Sequence, residues 1–87
     1  MSEIEVEIKY KNETVYRGEV DPREHSHGRT VDDFVFGILC DLHVKGYKGL
    51  PPSNNTNYTV RDSSGKTVSP EDSIYILEGL CIIVFRD

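Results

Sequence analysis

A chain of 87 residues with 37% hydrophobic and 29% charged side chains suits one soluble domain with a modest core: it is too short for two folding units and too apolar for a disordered segment. Fifteen acidic residues against ten basic ones give a net charge of -5, and the basic residues are scattered, which argues against nucleic acid as a partner. No apolar run approaches the ~20 residues of a membrane span, and the opening Met-Ser-Glu-Ile-Glu lacks the features of a signal peptide, so the expectation is a cytoplasmic protein without membrane insertion.

In EIEVEIKYK, Ile4, Val6, Ile8 and Tyr10 alternate with Glu3, Glu5, Glu7, Lys9 and Lys11, the period of a strand with one core face and one charged face. KNET supplies a polar turn. VYRGEV then reads as a second strand, with Tyr16, Gly18 and Val20 toward the core and Val15, Arg17 and Glu19 outward, completing a hairpin. Asp21-Pro22 ends it, because proline cannot donate to a strand ladder, and REHSHGR reads as a polar loop.

From Thr30 the period changes. Val31, Phe34, Val35, Ile38, Leu39 and Leu42 recur at spacings of three and four, which draws one apolar stripe along a helix from about Val31 to Val44. Thr30 is placed as its N-cap, with Asp33 closing a capping box, and Gly46 as its stop. Gly37 in the middle costs up to ~1 kcal/mol relative to alanine, a cost that points to close packing against a neighbouring backbone.

YKGLPPSNNTN reads as a long loop, YTVRD as a strand, SSGK as a turn and TVS as a short strand ended by Pro70. EDSIYIL is a helical turn or a bend, Glu78-Gly79 a tight turn, and LCIIVF the last strand. Cys40 and Cys81 each sit in an apolar stretch and are expected as buried free thiols.

Strand, strand, helix, strand, short strand, strand is an α+β order in which one helix covers one face of a mixed four- to five-stranded sheet. That order, together with the ending Ile76-Leu77-Glu78-Gly79-Leu80-Cys81-Ile82-Ile83-Val84-Phe85, resembles the ubiquitin-like β-grasp family. The resemblance implies a single domain over residues 1–87, with the last strand parallel to the first in the middle of the sheet. It also implies that Ile82 and Val84 face the helix while Ile83 and Phe85 lie on the open face, the face where ubiquitin-like domains commonly bind partners. Thr59 and Arg61 are then expected beside Ile83 and Phe85 as a polar rim.

Other chemistries have weaker support. Both cysteines fall in apolar stretches and no phosphate cradle or nucleophile elbow is present, so no enzyme activity and no cofactor are expected. His25 and His27, with Asp21 and Glu24, form the one cluster with metal-ligand character, but a solvated loop is the expected state because structural zinc favours four ligands. Conjugation or sulfur carriage in ubiquitin-like families needs a Gly-Gly tail where this sequence has Phe85-Arg86-Asp87. A Ras-association-like role would use Lys9, Lys11, Arg17 and Arg23 toward a small GTPase, against the repulsion of the surrounding glutamates. Stand-alone bacterial ubiquitin-like proteins, including those accompanying type VII secretion systems, are a further match in length. The expected function is therefore an adaptor that docks another protein, or a second copy of itself, on the open face of its sheet.

Overall fold

The computed structural model describes residues 3–25 and 28–86. A hairpin of β1 (Ile4–Tyr10) and β2 (Glu13–Val20) leads through a one-turn helix, α1 (Pro22–His25), to the main helix α2 (Val31–Val44). Then come β3 (Tyr58–Arg61), β4 (Thr67–Val68), a 3-10 turn (Ile74–Ile76) and β5 (Leu80–Phe85). The strands form one sheet in the order β2-β1-β5-β3-β4, in which β5 runs parallel to β1 and the other pairs are antiparallel. With α2 laid over one face, this is the β-grasp arrangement that the element order implied.

The core follows from two periods meeting. Ile4, Val6 and Ile8 of β1 are buried, and so are Val31, Phe34, Val35, Ile38, Leu39 and Leu42 of α2. Burial of each such aliphatic or aromatic side chain contributes about 1.5–3 kcal/mol, so this interface outweighs any single cap or ion pair.

The ends of α2 are where the residues place them. Thr30 Oγ1 accepts from the Asp33 amide at 3.2 Å while the Asp33 carboxylate accepts from the Thr30 amide at 3.4 Å, a reciprocal capping box. At the other end the Gly46 amide donates to His43 O and the Tyr47 amide to Leu42 O, with Gly46 at φ 88°. These two bonds make a Schellman motif, which glycine permits because it has no Cβ to clash in the left-handed region.

REHSHGR is not all loop, because α1 occupies its first half. The Asp21 carboxylate accepts from the Arg23 amide and the Asp21 carbonyl from the Glu24 amide, and Pro22 sits at the first helical position, where its missing N–H costs nothing. Gly37 shows why α1 matters: a Cβ there would lie 1.4 Å from the carbonyl oxygen of His25. The His25 ring reaches Asp41 of α2, with Nδ1 2.5 Å from Oδ2. Gly37 and Asp41, one turn apart, thus hold α1 against the main helix.

The β1–β2 pairing slips between Ile8 and Lys9. An irregularity of this kind turns a side chain out of strict alternation, and Val15, expected outward, packs against the core. EDSIYIL settles as the 3-10 turn, with Ser73 Oγ accepting from the Tyr75 amide. Its Ile74 is buried, while Tyr75 and Ile76 are 65% and 52% exposed. Cys40 is only half-buried, Cys81 is buried as expected, and both are free.

Two stability predictions follow from these close contacts. Gly37→Ala is expected to destabilise by about 1–3 kcal/mol through overpacking, despite alanine's better helix propensity; an unchanged urea midpoint would show that α1 does not pack there. Lys11 and Asn12 occupy the hairpin turn at φ 55° and 64°, so the double change to Asn-Gly should raise stability by about 1 kcal/mol by relieving left-handed strain, again read as a urea midpoint.

Candidate functional site: the open face of the sheet

The last strand faces the opposite way from the expectation. Ile83 is 0% and Phe85 3% exposed, both within the core beneath α2, whereas Leu80, Ile82 and Val84 are half-buried on the solvent side. The cause is register. Residues paired across neighbouring strands share a face, and β5 pairs Cys81 with Val6, Ile83 with Ile8 and Phe85 with Tyr10. The core residues of β1 therefore take the odd-numbered residues of β5 with them. A hydrogen bond from the Glu5 amide to Gly79 O, 2.8 Å, ties β1 to the residue that leads into β5. Val60 of β3 faces Ile83 from the other side, and the Tyr58 ring stands 5.3 Å from that of Phe85.

Thr59 and Arg61 do lie on the open face, but beside different residues from those expected. Arg61 pairs with Ile82 and Thr59 with Val84, while Glu5, Glu7 and Lys9 of β1 pair with Leu80, Ile82 and Val84. On the far side of β1, Arg17 pairs with Glu7 and Glu19 with Glu5. The face is thus a line of three aliphatic residues down its central strand, with charged residues and threonines in register on both sides.

These charges are unevenly matched. Arg17 Nε is 2.9 Å from the Glu5 carboxylate and its Nη1 3.6 Å from that of Glu7. Glu7 also accepts from Thr14 Oγ1 at 3.0 Å and lies 3.8 Å from Lys9 Nζ. Arg61 by contrast donates to the Gly65 carbonyl at 3.3 Å, and no carboxylate among the described residues forms an ion pair with it. Surface pairs of this kind contribute little to stability, so they can be exchanged for contacts with a partner at little cost.

No family model matches the sequence, and no curated protein matches it either.

The other candidate groups are occupied locally. His25 is held by Asp41 and stands edge-on to Phe34, and Asp21 receives Arg23 at 3.3 Å; His27 lies outside the described residues. Of the four cations considered for a GTPase, Lys9, Arg17 and Arg23 pair with carboxylates of their own chain, and Lys11 sits 5.3 Å from the centre of the Tyr10 ring. Burial, with a smaller effect from Asp62, pushes the Cys81 thiol up to about 12, which keeps it protonated and unreactive at neutral pH. A hollow beside the start of α2 is lined by Asp32, Asp33, Phe36 and Tyr58. Both of its carboxylates are already engaged, Asp32 by the Tyr58 hydroxyl at 2.5 Å and Asp33 by the cap. No helix among the described residues is long and apolar enough to cross a membrane.

Ile82 and Val84 escaped the sequence reading, although two signals could have found them. A buried Cys81 fixes one face of an alternating strand, and so puts Ile83 and Phe85 on it. The same alternation carried forward from Leu80, Ile82 and Val84 arrives at Arg86, a charged and exposed residue that marks their face as the solvent side.

Sidedness gives a sharp mutational contrast. Phe85→Asp buries an unpaired carboxylate and should abolish the folded circular dichroism spectrum at 25 °C, whereas Ile82→Asp should leave it intact; the reverse pattern would return Phe85 to the surface. In the native protein an aromatic disulfide reagent at pH 8 should label Cys40 and leave Cys81 untouched until denaturant is added.

Proposed function

We propose that the protein is a non-catalytic, ubiquitin-like interaction module that docks another protein on the open face of its sheet. The observation that carries this reading is the line of Leu80, Ile82 and Val84 on the solvent side of the central strand, framed by Thr59 and Arg61 on one flank and by Glu5, Glu7 and Lys9 on the other. Aliphatic residues there give a partner something to desolvate, and the flanking charges in fixed register give it orientation. The rest of the fold makes the face rigid, since each of the three residues has on either side of it in sequence a residue buried under α2 or a turn that leads into the strand.

Support for docking over chemistry comes from the state of the reactive groups. The Cys81 thiol is buried and protonated, and His25 is tied to Asp41. The GTPase-binding alternative loses ground because Lys9 and Arg17 share their face with Glu5, Glu7 and Glu19, which would repel an acidic partner.

A photoreactive amino acid at residue 82 or 61 should, in the native cell, link the protein to a partner that the same probe at Lys48, in the loop after α2, does not reach. Ile82→Lys should lose that partner while keeping the wild-type circular dichroism spectrum. Retention of the partner by the folded Ile82→Lys protein would refute docking at this face.

A further inference from the structure

We infer that the open face is also self-complementary, so that a second copy of this chain covers it, strands aligned, about a two-fold axis running along β5. This inference rests on the docking reading and adds the identity of one occupant. The row through Ile82 reads, across the sheet, Arg17, Glu7, Ile82, Arg61, Thr67. A two-fold axis along the central strand reverses that row on the facing copy. Ile82 then meets Ile82, Glu7 lies opposite the second copy's Arg61, and Arg17 lies opposite Thr67. In the next row Lys9 lies opposite Thr59, and no like charges face each other in either row. Turning the axis across the strands instead would set Glu7 on Glu7 and Arg61 on Arg61. Both sheets can adopt the first arrangement without distortion, because sheets pack face to face with strands within about 30° of parallel.

The charges are suited to this exchange. Arg61 has no ion pair with a carboxylate of its own chain among the described residues, and Glu5 stands directly opposite Glu19 on the neighbouring strand, a like-charge pairing that leaves this flank short of cations. Size sets the strength. Five strands about 4.8 Å apart, six to eight residues long in β1, β2 and β5 and only four and two in β3 and β4, cover about 400–500 Å² per copy, which puts the pair below the ~1,200 Å² of a standard specific interface. The association is accordingly weak and concentration-dependent.

Sedimentation equilibrium of the full chain at concentrations up to about 1 mM, with charge-swapped variants, tests this. The wild-type mass should rise from the monomer's 9.9 kDa toward twice that value. Arg61→Glu and Glu7→Lys, each alone, should stay monomeric with wild-type circular dichroism, since each turns both Glu7–Arg61 contacts of the pair into like-charge contacts. Their equimolar mixture should recover the dimer, because each copy then presents the charge the other lacks. Ile82→Lys, which leaves the Glu7 network untouched, should also be monomeric if Glu7→Lys proves unfolded. A wild-type chain monomeric throughout, or a folded Arg61→Glu or Ile82→Lys that dimerises like wild type, overturns the inference. If a monomeric wild type still loses its cellular partner on Ile82→Lys, only the second copy falls; if it keeps that partner, docking at this face falls as well.

Discussion

Everything else in this structure depends on the parallel pairing of β5 with β1. It joins the hairpin to β3 and β4, it sets Ile8 against Ile83 at the centre of the core, and it decides which half of LCIIVF meets water. A slip of one residue would exchange the two sets of side chains, sending Cys81, Ile83 and Phe85 out and Leu80, Ile82 and Val84 under the helix. Two constraints oppose the slip. Gly79 accepts from Glu5 where the strands begin, and Arg86 would be driven toward the apolar face where they end.

The helix side of the molecule is fixed by closeness of backbone as much as by apolar area. Gly37 lets the end of α1 lie directly on α2, and Asp41 one turn later holds the His25 ring. The segment between the hairpin and the main helix is therefore braced, and the start of α2 is further tied to the approach to the 3-10 turn by the Val31 amide on Asp72 O and the Ile74 amide on Arg29 O. With α2 placed by these contacts, the opposite face of the sheet is left uncovered by the helix.

Much of this was legible from the residues. The alternation in EIEVEIKYK, the stripe from Val31 to Leu42, the Thr30–Asp33 box and the Gly46 stop each carry a local physical signal, and each is realised. The meaning of Gly37 was legible too, though not which backbone it met. What local signals could not supply was the face of β5, because four consecutive apolar residues carry no alternation of their own; their sides come from pairing with β1, a contact some 75 residues distant in sequence. Family resemblance assigned them the wrong way round. The single turn of α1 and the displacement of Val15 were missed for a similar reason, since one depends on a carboxylate folding back on its own backbone and the other on a slip between two strands.

The most direct test of the central claim is the solvent accessibility of the β5 methyl groups in the isotopically labelled protein, read by NMR as line broadening from a soluble paramagnetic agent. The pairing of β5 with β1 predicts strong broadening of the Ile82 and Val84 methyls and almost none for Ile83. Broadening of Ile83 with protection of Ile82 and Val84 would contradict it, and would return Ile83 and Phe85 to the open face.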